Sequence, residues 1–263
     1  MLNLRDMKVV ITGAASGLGA ALARGFAARG CQLALSALQP VPLEQLTREL
    51  ASVTGLVRSM SGDFRDLTVV KRFADFILRE FTHVDILINN AAMIVPGRIG
   101  HSDFANWQDV LQVNLTAPCL LVNDLAAAMN ERSASPLVVN IASVAALQGA
   151  PYEASYVVAK SGLLGLTAAI NEEFRMYGRL RAMTLCPGNM DTAIWPSTEG
   201  WPGISRTPRD RLMDPITVTQ SLIRMIEVSD EIDITQMVLT PRKDINGSEP
   251  LENPIFSKKE IGK

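Results

Sequence analysis

The sequence predicts an α/β fold: one domain built on a doubly wound parallel sheet of about seven strands, with helices on both faces. Three observations predict it. Short apolar runs recur at similar spacing from residue 7 to about 240, with helical patterns between them. Several runs, such as Val9-Val10-Ile11 and Ile86-Leu87-Ile88, are apolar without alternation, as expected of parallel strands covered on both faces. No Pro-, Gly- or Ser-rich linker divides the 263 residues, so a single domain is expected over 1–243, followed by a polar tail over 244–263. A chain of this length can bury a substantial core.

The elements follow in order. Strands are expected at Lys8–Thr12, Gln32–Ser36, Gly55–Met60, Val84–Asn89, Leu137–Ala142, Arg181–Cys186 and Gln236–Thr240. Helices are expected near 17–29, 42–53, 66–82, 103–130, 153–177 and 214–228. Pro118 falls inside the fourth helix and predicts a kink, because its ring gives no N–H and crowds the preceding turn. Right-handed crossovers put the ligand site beyond the carboxyl ends of the strands. Gly13, Asn90, Ser143 and Pro187 each follow a strand and are therefore placed for chemistry. Residues 189–214 break the pattern and hold Trp195, Pro196, Trp201, Pro202 and Pro208. A stretch this long without regular structure is expected to be a substrate lid.

Composition excludes several classes. A net charge of −2 gives no electrostatic reason for a nucleic-acid or anionic-membrane partner. Met1 to Lys8 lacks the apolar stretch of a signal peptide. No run of apolar residues is long enough to span a bilayer, since Asn123 and Asp124 interrupt the apolar helix around Leu120 to Ala128. Cys31, Cys119 and Cys186 are odd in number and set in apolar contexts, which fits buried free thiols in a reducing cytoplasm. With only His83 and His101 and no cysteine pairs, no metal site is expected.

The segment Thr12-Gly13-Ala14-Ala15-Ser16-Gly17-Leu18-Gly19 joins the first strand to the first helix. Gly13 allows a tight turn, Gly17 lets the backbone approach a pyrophosphate, and Gly19 lets helix and strand pack closely. The N–H groups of Ser16, Gly17 and Leu18, together with the helix dipole, favour phosphate. Alone, the same pattern describes an ordinary strand-to-helix turn. Asp63-Phe64, after the third strand, is expected to hold an adenine amino group and flank its ring, although an Asp there also serves as a helix cap. An acid after the second strand selects NAD and a base selects NADP. Ser36-Ala37-Leu38-Gln39 offers neither. With no carboxylate to repel a 2′-phosphate, the reading favours NADP over NAD.

Ser143, Tyr156 and Lys160 form the second constellation. Tyr156 and Lys160 are one helical turn apart, with Cβ atoms about 5–6 Å from each other. A phenol titrates near pH ~10, and a neighbouring cation lowers that value, so Lys160 and an oxidised nicotinamide are expected to bring Tyr156 towards working pH. Tyr156 would then give or take the proton while Ser143 steadies the substrate oxygen. Lys160 would also bind the nicotinamide ribose. Asn114 lies inside a helix, wants a partner there, and could hold a water that relays protons to Lys160. Asn89 is expected to brace the sheet, and Asn90 to stand beside the cofactor. Pro187, Gly188, Met190 and Thr192 follow the sixth strand and could clasp the nicotinamide carboxamide.

Together these residues resemble the short-chain dehydrogenase/reductase family over about residues 5–240. The match comprises TGxxxGxG at 12–19, Asp63-Phe64, Asn89-Asn90-Ala91-Ala92, Asn114, Ser143, Tyr156, Lys160 and PGxxxT at 187–192. The resemblance implies a seven-stranded Rossmann sheet and an NAD(P)-dependent oxidoreductase acting on a ketone or secondary alcohol through an Asn-Ser-Tyr-Lys tetrad. It also implies a homodimer or homotetramer joined through the helices at 103–130 and 153–177. Ala159, Ser161, Gly162, Gly165, Ala168 and Ala169 would permit close helix approach there, or equally packing within the chain. Three departures stand out. Ala92 replaces a glycine, residues 36–39 carry no selecting charge, and Thr240-Pro241-Arg242-Lys243-Asp244 replaces a Gly-Gly ending, which leaves a dimer at least as well supported as a tetramer. The alternative is a cofactor-binding sensor or scaffold without turnover, against which the intact tetrad argues. Trp195, Trp201, Ile194, Ile204 and Met213 on one side, and Met93, Val95, Val144, Leu147 and Tyr152 on the other, suggest a largely apolar small-molecule carbonyl substrate. Arg206, Arg209 and Arg211 read as a solvated face rather than an anion site.

Overall fold

A computed structural model describes residues 1–192, 194, 212–229 and 232–242. Seven strands run parallel in the order β3-β2-β1-β4-β5-β6-β7. They are β1 Lys8–Thr12, β2 Gln32–Ala37, β3 Val57–Ser61, β4 Ile86–Asn89, β5 Leu137–Ile141, β6 Arg181–Pro187 and β7 Gln236–Leu239. The helices are α1 Gly17–Ala27, α2 Pro40–Ala51, α3 Leu67–Glu80, α4 Phe104–Leu111, α5 Ala117–Arg132, α6 Ala145–Gln148, α7 Ala154–Tyr177 and α8 Pro215–Val228. The doubly wound sheet expected from the apolar runs is the one observed.

Strand periodicity builds two cores. Val9 and Ile11 of β1 face α1, α2 and α8, where they meet Leu22, Phe26, Leu46 and Ile223. Val10, between them, faces the other layer with Phe73 of α3, Leu125 of α5 and Ile170 of α7. β4 repeats the division, with Ile86 and Ile88 on the first side and Leu87 on the second. Successive side chains of a strand point to opposite faces, so a strand apolar at every position serves both layers. β7 is the sheet edge, and its outward Val238 is about half exposed.

Two local expectations are corrected. The helix around Pro118 is not simply kinked there. It divides into α4 and α5 through a π-helical turn at Gln112–Thr116, and Pro118 stands in the first turn of α5. A proline ring crowds the carbonyl four residues back, here that of Asn114, and the widened turn takes up that misfit upstream. The continuous stretch Phe104–Arg132 is, by length and composition, apolar enough to cross a membrane, which the reading of unbroken runs missed. Its Val113, Ala117, Leu121, Leu125 and Met129 are buried in the second core, against α3 among others. The short α6 after β5 carried no periodic signal and was not expected. Most of the 189–214 lid, including Trp195, Trp201, Ile204, Arg206, Arg209 and Arg211, lies outside the described residues, as does the 244–263 tail.

Candidate active site

The glycine turn is locked to the end of β4. Thr12 Oγ1 accepts from the N–H groups of Asn90 and Ala91 at 3.0 and 2.9 Å. The Asn90 side-chain amide donates to the carbonyls of Thr12 and Gly13 at 2.8 and 3.2 Å. Gly13 has φ +67°, and a Cβ there would lie 2.8 Å from Ala91 Cα. Gly19 is also obligatory, since its Cβ would lie 2.6 Å from Asn90 Nδ2. Gly17 has φ +51°, with the Thr192 methyl close by. The structure thus brings the PGxxxT segment onto the glycine turn.

The residues present fit a dinucleotide. Ser16 occupies the N-cap of α1 without making a side-chain cap bond, so its exposed hydroxyl is available to a phosphate beside the first N–H groups of the helix. A Cβ at Gly13 or Gly19 would close this cradle. At the end of β2, Ser36 Oγ is buried without a hydrogen-bond partner. Leu18 has its side chain in the first core, so only its backbone faces the cradle.

The adenine end differs from expectation. Phe64 does not present its ring to the surface. Its side chain is buried in the second core with its ring 6.0 Å from that of Phe73, because an apolar ring gains more from that contact than from the surface. Asp63 does not cap α3 either; Asp66 does, accepting from Thr68 N at 2.8 Å. Asp63 is instead clasped by Arg65, whose Nη2 and Nε reach Asp63 Oδ2 at 2.6 and 2.9 Å. Arg65 Nη1 also meets Asp109 of α4 at 3.4 Å. The hydrogen bond from Arg65 holds the Asp63 carboxyl below its usual range. Sequence reasoning missed Arg65, although a basic residue two positions after an acid in a strand-to-helix loop is a readable signal.

Ser143, Tyr156 and Lys160 are brought together beyond the carboxyl end of β5. Ser143 lies two residues after the strand, and its Oγ accepts from Ala145 N at 3.1 Å as α6 begins. Tyr156 occupies the first turn of α7, with the Ser143 side chain close enough to lower its pKa. Lys160 is wholly buried, with Nζ 5.5 Å from the centre of the Tyr156 ring and donating to the Ile141 carbonyl at 2.7 Å. Burial pulls its pKa down to about 7, while Cys186 at the end of β6 acts in the opposite direction.

Tyr156 itself runs against the expectation. Burial first, and the charge of Glu153 second, push its hydroxyl above the ordinary phenol value, with Ser143 opposing. Lys160 directs its Nζ to the Ile141 carbonyl, and the burial that lowers its own pKa to about 7 weakens the charge it can offer the phenol. A cation beside the hydroxyl would have to come from a bound oxidised nicotinamide.

Asn114 stands in the π-helical turn, wholly buried. Its amide donates to the carbonyls of Met93 and Val110, each at 2.8 Å, and its Oδ1 is left unpartnered. No hydrogen bond joins it to Lys160 among the described residues. Asn89 braces the sheet as expected: its amide donates to Asn140 Oδ1 at 2.9 Å, and Asn140 donates to Thr167 Oγ1 at 2.9 Å. In the 187–192 segment, the Pro187 carbonyl accepts from Val144 N, Gly188 N donates to Leu239 O, and Met190 bridges to Met213. That leaves Thr192 as the residue of this segment turned to the glycine turn.

Comparison with known proteins agrees with this geometry. The model of the short chain dehydrogenase family matches residues 7–202. A short-chain dehydrogenase/reductase, aba4, from Botryotinia fuckeliana (strain B05.10) is 31% identical over 216 residues, 80% of this chain and 82% of that protein. A metagenomic short-chain oxidoreductase in complex with NADP superposes with a TM-score of 0.77 at 26% identity, covering 92% of this chain and 100% of the other. L-Sorbose reductase from Gluconobacter frateurii, complexed with NADPH and L-sorbose, shares the fold with a TM-score of 0.81 at 23% identity, covering 91% and 98%. With a glycine cradle, a Ser-Tyr-Lys cluster beyond β5 and these likenesses in hand, the chain belongs to the short-chain dehydrogenase family of NAD(P)-binding oxidoreductases.

Proposed function

We propose that this protein interconverts a ketone and a secondary alcohol, with Tyr156 as the general acid and base. The observation that carries the reading is the meeting of Ser143, Tyr156 and Lys160 at one strand end, next to a turn shaped for a dinucleotide. The bound nicotinamide supplies or accepts the hydride. Tyr156 gives its hydroxyl proton to the carbonyl oxygen in reduction and takes it back in oxidation. Ser143 donates to the same oxygen and stabilises the charge that develops on it. Lys160 holds the ribose hydroxyls, and Asn114 keeps an acceptor oxygen free for a water at the turn between α4 and α5.

NADP is the favoured cofactor. No carboxylate stands at 36–39 to repel a 2′-phosphate, and relatives of this fold have been seen with NADP and NADPH. The substrate is a small carbonyl compound lying against Met93, Val95, Val144 and Leu147. A homodimer or homotetramer through α4, α5 and α7 fits the exposure of Phe104 and Val158 and the open space beside Gly165. Gly162 serves the chain itself, because a Cβ there would meet Leu115 at 2.7 Å. Cys31, Cys119 and Cys186 are free thiols, which suits a reducing cytoplasm.

Titration of the protein with NADPH and NADH, followed by cofactor fluorescence, tests the reading with Tyr156→Phe alongside. Both proteins are expected to bind NADPH, and only the variant should fail on a panel of ketones. A folded sample that binds neither cofactor would overturn the proposal in favour of a scaffold.

A further inference from the structure

Glu153 is a charge that the reaction as described does not use. It occupies the N-cap of α7, one turn before Tyr156 and on the same helical face. Its backbone bridges to Gly97, and Gly97 N donates to the Tyr152 carbonyl at 2.7 Å, so the loop after β4 fixes the start of α7. Tyr152, immediately before it, is held at φ +62°, an uncommon conformation for a non-glycine residue.

The side chain is half-buried, yet it makes no cap bond. Among the described residues no hydrogen bond or ion pair reaches its carboxyl group. Its oxygens are not sealed from solvent, and partial burial lifts its pKa to about 7. Glu153 also opposes ionisation of Tyr156. A residue that does not cap the helix and stands without a partner among the described residues, one turn before the reacting phenol, is placed to meet a group on the substrate. The apolar residues proposed to line the substrate, Met93, Val95 and Val144, offer no such polar group.

We propose that Glu153 is a specificity-determining residue that accepts a hydrogen bond from a hydroxyl group next to the substrate carbonyl, so that the substrates are hydroxyketones and the corresponding diols. The inference rests on Tyr156 as the proton donor. Glu153 stands three residues before Tyr156, one turn away at the N-cap, which suits donors one or two bonds from the reacting carbon. It modifies the apolar substrate expected from the sequence by one polar requirement. A site built to bond a substrate hydroxyl rejects the analogue lacking it, because the acceptor then loses its water without gaining a donor.

The test uses paired ketones with NADPH: 2-butanone with 3-hydroxy-2-butanone, cyclohexanone with 2-hydroxycyclohexanone, and acetophenone with 2-hydroxyacetophenone. The wild-type protein is expected to prefer the hydroxylated member of a pair by at least about tenfold in kcat/KM. Glu153→Leu should abolish the preference, chiefly through KM for the hydroxyketone, while activity on the plain ketone persists. Glu153→Gln, which keeps an acceptor oxygen, should retain most of the preference. Undiminished NADPH binding shows that each variant is folded, and Glu153→Ala replaces the leucine variant if that one is not. A purely structural role would lower both members of a pair equally and overturn the proposal, as would equal use of both by the wild type. If the wild type binds NADPH and reduces no ketone at all, the oxidoreductase reading falls with it.

Discussion

Lys160 donates from Nζ to the main-chain carbonyl of Ile141 at 2.7 Å, inside a wholly buried pocket that lowers its pKa from 10.5 to about 7. This has a consequence for stability. Above pH 10.5 the lysine is neutral in both states. As pH falls from 10.5 to 7, the unfolded chain takes up a proton that the folded chain resists, so stability is lost; below 7 the loss is constant. The cofactor-free protein should therefore gain stability from this residue between pH 7 and 10. Lys160→Met should remove that gain and stabilise the apoprotein at pH 7 by about 1–3 kcal/mol, after allowing for the orphaned Ile141 carbonyl. Urea unfolding at pH 7 and pH 9 checks both statements, and turnover should be lost in the same variant.

Ser143 acts on Tyr156 in the opposite direction from Glu153. Its side chain lowers the tyrosine pKa, whereas burial and Glu153 raise it. Alcohol oxidation needs the ionised phenol, so the rate rises with pH through the Tyr156 value. Ser143→Ala should move that limb of the profile to higher pH and lower kcat by about 10²-fold, the usual effect of losing one donor to a developing oxyanion. Cofactor affinity should be unchanged. A limb that stays in place would show that another group titrates there.

Gly19 and Gly165 should respond to the same substitution with opposite signs. A Cβ at Gly19 enters the space of Asn90 Nδ2, which also holds the Thr12 and Gly13 carbonyls. Gly19→Ala should weaken NADPH binding at least about 100-fold, since the cradle backbone must shift to admit it. Gly165 has open space around its Cβ position, in the middle of α7. Gly165→Ala should stabilise a monomer by about 0.4–1 kcal/mol. If α7 instead packs against a second copy, the same methyl should weaken the assembly, which sedimentation of the two proteins reveals.

The sheet was legible because its signal is local. β1 and β4 carry unbroken apolar runs, Val9-Val10-Ile11 and Ile86-Leu87-Ile88, and each run had one consistent reading between two helical layers. The cradle was legible for the same reason: Gly13 and Gly19 carry positions that no other residue could occupy. What escaped the sequence depends on tertiary contact. The widened turn before Pro118 reflects how α4 and α5 dock, not proline propensity alone. Phe64 reads as a ring beside a ligand until the position of Phe73 is known. The acidity of Tyr156 was expected to follow Lys160, its neighbour along the helix. It follows burial and Glu153 instead, because burial lowers the lysine pKa as well and leaves little charge beside the phenol.

Leu38 offers a direct test of cofactor choice. It follows β2, where the adenosine ribose of a dinucleotide lies in doubly wound sheets, and it is about half exposed. Its neighbour Ser36 has a buried hydroxyl without a partner. A substitution at Leu38 can therefore change local charge without disturbing the core. Leu38→Asp should repel a 2′-phosphate and raise the Kd for NADPH by about tenfold or more, leaving NADH binding unchanged or improved. Leu38→Arg should do the reverse, tightening NADPH by about tenfold at low salt, with the gain fading as ionic strength rises. Fluorescence titration of both variants with both cofactors gives four affinities. Opposite shifts for NADPH with little change for NADH place the ribose phosphate beside Leu38, because only a group carrying the extra charge senses the sign of the new side chain. Four unchanged affinities would place the ribose elsewhere and remove the basis for preferring NADP in this protein.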